Sequence, residues 1–418
     1  MTTTMTLGRD KFIPFSPPLI GDEEIAEVVD TLRSDWITTG PKVKRFERQF
    51  LEFVDAPAAL AVSSCTAALH LSLLALGIGP GDAVLTTAMT FCSGVHVIEH
   101  VGARPVLVDV EPDTLNLDPQ RLEDAIQRVT RTLGLQVKAI MPVHLYGHPC
   151  DMATILEIAA RHGLAIIEDA AHALPTHYRG RIIGSAQPQS AVPVLTCFSF
   201  YATKNLTTAE GGMLVGPPEL IDRARSWGLH GMNGDAWKRY GKEGTWFYEV
   251  VSPGFKYNLT DLQAALGLHQ LRKLPQFHAR RQAIVRRYQA AFAAYEELQL
   301  PPERADVVHA WHIYAPRLNL DCLTITRNQF IAELQEQGIS CSVHFIPVHL
   351  HRYYREKYSY VAQDFPVAYQ EYQRLVSLPL SPKLADEDIK EVIAAVRHTI
   401  SAHRAQPESG RTRAAVGS

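Results

Sequence analysis

Between residues 58 and 216 the chain alternates short β-branched apolar runs with stretches of helical pattern. ALAVSS is followed by CTAALHLSLLALG, and AVLTTA by FCSGVHVIEHVG; PVLVDV, VKAIMPVH, LAIIEDA, VLTCFSF and GMLVG come next. That alternation predicts an α/β domain built on a mainly parallel sheet of about seven strands flanked by helices. After residue 270 the texture changes. A long basic helix, HARRQAIVRRYQAAFAAYEEL, leads into the short apolar segments HIYAPRL and CSVHFI and then into a terminal helix, DEDIKEVIAAVRHTISAH. These predict a smaller α+β domain. The expected organisation is a large domain over 12–270, a small C-terminal domain over 271–404, and a disordered tail over 405–418, which is polar and rich in small residues.

Composition narrows the function without naming it. With 418 residues, 46% hydrophobic and 20% charged, the chain has an ordinary globular make-up, and its length favours two domains. A formal charge of −3 carries neither a nucleic-acid footprint nor a polybasic membrane anchor. The opening MTTTMTLGRDKF lacks the apolar core of a secretory signal, and nowhere do eighteen apolar residues run together. A cytoplasmic protein with no nucleic-acid or membrane partner is expected. The six cysteines include no CxxC pair, which fits reduced thiols better than a disulfide framework or a zinc site.

Four stretches carry candidate chemistry. In AVSSCTAALHLSLLALG an apolar strand ends at Ser63-Ser64 and an apolar helix begins at about Cys65-Thr66. Such a start is either a plain cap or an anion site made by free N–H groups and the helix dipole. In LAIIEDAAHALPTHY four apolar residues end in Glu168-Asp169, placing an acid where open α/β sheets bind ligands, although Asp is also a common turn residue. His172 follows, and a metal pair with His177 lacks any recognised ligand spacing, so no metal is expected. In FSFYATKNLTTAEGG the lone Lys204 sits where a strand gives way to a loop, 35 residues after Asp169. A partly desolvated amine there could act as a nucleophile. An acid, an amine and a helix-end anion site at neighbouring strand ends match the needs of pyridoxal phosphate. In SPGFKYNLTDLQAALGLHQL, Lys256 and Asn258 lie on a turn before a helix whose expected cap is Thr260.

With these residues in view, the chain resembles the DegT/DnrJ/EryC1/StrS family of sugar aminotransferases, a branch of fold-type I pyridoxal-phosphate enzymes. The resemblance runs over roughly residues 12–402, through SDWITTGPKVKRFE, SSCTAALHL, PVHLYGHPCDM, IIEDAAHA, FSFYATKNLTTAEGG, GFKYNLTDLQAA, HAWHIY and SVHF. Within the family it is most similar to the UDP-4-keto-pentose (aminoarabinose) branch. It departs from that branch in FYATKN for FHAIKN, in Phe91 where that branch has Trp, and in a longer SAQPQSAVPV. The resemblance implies that Lys204 holds the cofactor as a Schiff base and that Asp169 pairs with the pyridine nitrogen. His172 would contact the ring or its 3-oxygen, Phe91 would stack on it, and Cys65, Thr66 and Ser199 would bind the phosphate. Lys256 and Asn258 would reach in from a second subunit of a homodimer. Trp36, Thr38, His344 and Phe345 would contact substrate. The implied reaction passes an amino group, with glutamate as donor, to a nucleotide-linked keto sugar. Two rival readings remain at this point: a nucleotide-cofactor oxidoreductase, against which the missing GxGxxG speaks, and a non-catalytic cofactor-binding regulator, against which the intact Lys204 speaks.

Overall fold

The structure, a computed structural model, describes residues 12–187, 190–232 and 247–405, so all of the expected tail except Ala405 lies outside the described residues. The main sheet has seven strands: β1 (Ala59–Val62), β2 (Asp82–Thr87), β3 (Arg104–Val108), β4 (Gln136–Met141), β5 (Ala165–Asp169), β6 (Val194–Ser199) and β7 (Gly212–Val215). Their order is β1-β7-β6-β5-β4-β2-β3. The pairs from β3 across to β6 are parallel, as the alternating pattern predicts. Strand β7 runs antiparallel to both its neighbours. Its direction has a topological consequence: parallel neighbours need a crossover, whereas an antiparallel return keeps the connection at one end of the sheet. Residues 200–211, including Lys204, therefore stay at the carboxyl end of β5 and β6, beside Asp169 and Ser199.

Seven helices accompany this sheet: α1 (Asp22–Arg33), α2 (Pro41–Val54), α3 (Cys65–Ala75), α4 (Ser93–His100), α5 (Leu122–Arg128), α6 (Met152–His162) and α7 (Pro218–Gly228). Helix α3 is apolar on nearly every side. Ala68, Leu69, Leu71 and Leu73 are wholly buried, packed with Val84, Ile167, Leu195 and Leu214 of the sheet. A helix of this kind has no solvent face and can only lie inside a core. The next helix, α8 (Asp261–Phe292), starts at Thr260, whose hydroxyl accepts from the Gln263 N–H at 3.3 Å, so the expected cap is present.

Helix α8 continues through residues 270 and 271, where the sequence suggests a domain division. Its first half, with Ala264, Leu268 and Leu271, packs on Phe46 and Phe50 of α2, while Ile284, Val285, Tyr288 and Phe292 enter the core of the smaller unit. Pro275 removes one intrahelical bond but does not end a helix held by packing at both ends. The smaller unit adds α9 (Arg327–Glu336), α10 (Arg352–Tyr358), α11 (Pro366–Arg374) and α12 (Asp386–Ala402). Its strands are shorter than HIYAPRL and CSVHFI suggest. Within HIYAPRL only Arg317–Leu318 forms a ladder, with Leu298–Gln299, while Tyr314 and Arg317 add single bridges to Leu378 and Leu375, and CSVHFI contributes the bridge Ser342↔Ser377. Pro316 and Pro347 carry no N–H with which to extend either pairing. The N-terminal segment also crosses between the units, since Ile13 bridges to Ile339 and is buried in the smaller core. No helix among the described residues is long and apolar enough to cross a membrane.

The two halves of the large unit are locked by Asp261. Its buried carboxylate accepts the N–H groups of Gly40, Lys42 and Val43 at 2.8–3.0 Å, capping α2 from the first residue of α8. Asp261→Ala should strip three donors at once and destabilise the fold by about 2 kcal/mol, read as a lowered chemical-denaturation midpoint with an unchanged slope. An unchanged midpoint would show that the cap is not holding α2.

Candidate active site

The carboxyl ends of β5 and β6, the start of α3 and the loop between β6 and β7 enclose a cavity of about 450 Å³. It is lined by Cys65, Thr66, Phe91, Asp169, His172, Ser199, Lys204, His344 and Phe345. Nine of the thirteen residues singled out in the sequence thus meet at one place. The other four do not. Trp36 and Asn258 line a separate groove with Tyr257, Lys256 contacts Asn258, and the Thr38 carbonyl accepts the Asp261 N–H at 2.9 Å.

The loop carrying Lys204 is fixed at several points. Its N–H donates to the Tyr201 carbonyl at 2.9 Å, and Ser16 donates to the Thr203 carbonyl at 3.2 Å. Asn205 donates to the Leu174 and Ala310 carbonyls at 3.0 and 2.9 Å. Lys204 makes no salt bridge among the described residues. Burial lowers its pKa to about 8, against the opposing pull of the Asp169 charge. A lysine so placed loses its proton far more readily than a solvated one.

Asp169 ends β5 and is buried. Its Oδ1 accepts the Ala171 N–H at 3.0 Å and faces the Cys65 thiol at 3.8 Å. Burial raises its pKa, opposed by the Ala171 N–H and the Lys204 charge. The Cys65 thiol is held protonated by burial and by the neighbouring Asp169 charge. Of the expected phosphate contacts, Cys65 therefore turns its side chain inward to the carboxylate, which leaves its backbone N–H at the start of α3.

That start is capped by Ser64, whose hydroxyl accepts the Ala67 N–H at 3.1 Å. Strand β7 passes unusually close: a Cβ on Gly212 would lie 2.6 Å from the Ser64 carbonyl carbon and 2.7 Å from the Cys65 nitrogen. Thr66 at the first turn is exposed, and Ser199 stands across the cavity at the end of β6. The first-turn N–H groups with two hydroxyls suit a phosphate, the enclosed amine suits an aldehyde, and the buried carboxylate with one oxygen uncommitted suits a protonated ring nitrogen.

His172 and its surroundings form an aromatic wall. His172 lies 4.4 Å from His312 and 5.8 Å from Phe345 between ring centroids, Phe345 lies 5.9 Å from Phe91, and Phe15 stacks on His344 at 5.2 Å. Tyr146 ties two of these histidines together. Its N–H donates to His172 Nδ1 at 3.2 Å, and its hydroxyl donates to the His344 carbonyl. Burial, with the Lys204 charge next, holds His172 well below the usual imidazole range and lowers His344 to about 4.

Phe15, Thr90, Tyr201, Glu210 and His312 also line the cavity and were not singled out from the sequence. His312 stood in a quoted motif, HAWHIY, but nothing in its spacing tied it to Lys204. Among the described residues no group of three metal-binding side chains could hold an ion.

The seven-stranded sheet and the lysine, carboxylate and helix-end site at its carboxyl edge define a fold-type I pyridoxal-phosphate enzyme. The chain belongs to the DegT/DnrJ/EryC1/StrS aminotransferase family, whose model matches residues 18–397, and it is accordingly a pyridoxal-phosphate-dependent sugar aminotransferase. It is 49% identical over 398 residues to the spore coat polysaccharide biosynthesis protein SpsC of Bacillus subtilis, covering 95% of this chain and 99% of that one. Among solved structures, Spr1654 from Streptococcus pneumoniae in its PLP form is 36% identical with a TM-score of 0.84, covering 94% of this chain and 99% of that chain. PseC of Helicobacter pylori, an aminotransferase involved in the biosynthesis of pseudoaminic acid, is 25% identical with a TM-score of 0.83 over 94% of this chain and 100% of that one.

The depressed lysine gives a pH test in the cofactor-free protein. Only the neutral amine attacks an aldehyde, so below about 8 the rate of cofactor capture should fall roughly tenfold per pH unit, and above it the rate should level off. The groups facing Lys204 are Asp169, Cys65, His172, His312 and His344. Stopped-flow absorbance checks the profile. A capture rate still climbing at pH 10 would mean an ordinary lysine. Borohydride should fix the cofactor to the peptide containing Lys204, and Lys204→Ala should abolish that labelling.

Proposed function

We propose that the protein transfers an amino group from glutamate to the carbonyl of a nucleotide-linked keto sugar, as a cytoplasmic homodimer. The observation that carries the reading is the placement of Lys204, Asp169 and the start of α3 around one cavity. SpsC and PseC, both tied by their names to glycan or sugar-acid biosynthesis, support a sugar as acceptor. The similarity to the aminoarabinose branch supports a UDP-linked 4-keto sugar. All six cysteines are free, which suits a reducing compartment.

When bound, pyridoxal phosphate supplies an electron-withdrawing ring that makes a proton on the carbon next to the amino nitrogen removable. The protein's residues do the rest. Lys204 would hold the cofactor through its aldehyde, and its amine, brought to a pKa of about 8 by burial, is suited to taking up and returning that proton. Asp169, anchored through Oδ1, would place a carboxylate against the ring nitrogen. His172 accepts at Nδ1 and so carries its proton on Nε2, a donor that would serve the cofactor ring or its oxygen. Ser199, Thr66 and the first N–H groups of α3 receive the phosphate.

Trp36, Thr38, Lys256 and Asn258 fit a shared site. Trp36 and Asn258 line a groove of about 640 Å³ with Val43, Leu60, Val62 and Leu229, and Phe247, Val250 and Val251 nearby in sequence are exposed. In a homodimer this face would meet its copy and deliver Lys256 and Asn258 to the partner's phosphate.

The purified holoprotein should be yellow and should bleach on adding glutamate, then regain its colour with the right nucleotide keto sugar. Absence of bleaching with any amino acid would leave the regulator reading. Asp169→Asn should cut turnover by several orders of magnitude while the protein stays folded. Mixing Lys204→Ala and Lys256→Ala chains under subunit exchange should restore about a quarter of wild-type activity if Lys256 serves the other chain, since each mixed dimer then holds one intact site. No recovery would place Lys256 in its own chain's site.

A further inference from the structure

Beside the cofactor residues, the cavity contains a histidine whose protonation pattern is set by the fold. His312 is buried, and its Nδ1 lies 3.2 Å from Asn205 Oδ1. Asn205 commits both its amide hydrogens, to the Leu174 and Ala310 carbonyls at 3.0 and 2.9 Å, so the atom facing the imidazole is the oxygen. An oxygen can only accept. His312 must therefore carry its proton on Nδ1 and leave the Nε2 lone pair free. Burial, reinforced by the charge on Lys204, keeps the ring neutral.

His172 has the opposite tautomer. Its Nδ1 accepts the Tyr146 N–H, so its Nε2 is a donor. Two neutral imidazoles with centroids 4.4 Å apart thus present one donor and one acceptor to the same cavity. The donor at His172 would serve the cofactor ring or its oxygen. The acceptor at His312 has no partner among the described side chains, and the Lys204 cofactor loop cannot fill it through Asn205, which is already committed. A free lone pair beside the reacting site calls for an O–H or N–H from the substrate, and a sugar carries hydroxyl groups next to its carbonyl.

We propose that His312 is a specificity-determining residue that accepts a hydrogen bond at Nε2 from a hydroxyl group adjacent to the carbonyl of the keto-sugar substrate. The inference rests on the sugar-aminotransferase reading above. It assigns Asn205 a positioning role: by holding Nδ1–H, it keeps the acceptor nitrogen turned to the substrate.

Two variants separate this role from a structural one. In His312→Asn the amide reaches about as far as Nδ1, so the link to Asn205 can persist while nothing extends to the substrate. In His312→Gln the amide reaches about as far as Nε2, so an acceptor remains in the cavity. Steady-state kinetics with the wild-type substrate and with an analogue lacking the adjacent hydroxyl, together with the rate of glutamate bleaching in single turnover, give the readouts. For the wild type, loss of the hydroxyl should cost about tenfold in kcat/KM. His312→Asn should lose about the same factor on the full substrate, discriminate no further against the analogue, and bleach with glutamate at the wild-type rate. His312→Gln should retain part of the discrimination.

The opposite order, with Asn harmless and Gln damaging, would make His312 a purely structural residue and overturn the proposal. Equal slowing of the glutamate half-reaction would also overturn it, because His312 would then act on Lys204 or the cofactor. If the wild type bleaches with glutamate but regains colour with no keto sugar, the substrate reading itself fails, an outcome separate from any effect at His312.

Discussion

An amine held inside a protein without a carboxylate bonded to it is unfavourable, and much of this fold is arranged to keep Lys204 in that state. Charged groups lose hydration on burial, so the neutral form gains relative to the charged one. Asp169 stands close enough to be felt electrostatically, yet its Oδ1 is occupied by the Ala171 N–H and the Cys65 thiol. The loop that carries Lys204 is held from several sides. It is pinned through Ser16, Tyr201 and Asn205, and its ends belong to β6 and β7 in the middle of a sheet.

The same loop joins the two units. Asn205 reaches the Ala310 carbonyl and His312, while Tyr146 reaches His344, so residues from the smaller unit are set against the candidate site by bonds from the larger one. Further from the site, Asp109 at the end of β3 accepts the N–H groups of Val367 and Ala368 at 3.0 and 2.9 Å, capping α11 across the interface. Arg317 pairs with Glu371 at 3.0 Å and donates to the Asp113 carbonyl at 3.1 Å. A buried pair of this kind is costly to break from one side, because the remaining charge would be left without a partner. The histidine wall is thus positioned by a polar seam that holds the two units in register.

Electrostatically the cavity is asymmetric. Its floor holds Asp169, its centre the weakly basic Lys204, and its wall three imidazoles that burial and the lysine keep neutral. Neutral imidazoles can sort donors from acceptors without adding charge that would push Lys204 out of its working range. Glu210, which also lines the cavity, is exposed.

The sequence by itself determined most elements of the larger unit and brought the candidate reacting groups into view. Apolar runs broken by helical periods could only bury both faces of a sheet, and Lys204, Asp169 and the Ser64–Thr66 helix start were legible because each stands at the end of such a run. Thr260 was legible as a cap because its partner, Gln263, lies three residues away. What the sequence could not show were relations between residues far apart along the chain. The antiparallel course of β7, the inward turn of Cys65, the continuity of α8 through Pro275 and the tautomer of His312 were all decided by tertiary contacts. Asn205 and His312 lie 107 residues apart, and no local pattern records which atom of one faces which atom of the other. Covalent neighbours and short periods write secondary structure into a sequence, but the proton on an imidazole is placed by whichever group the fold brings against it.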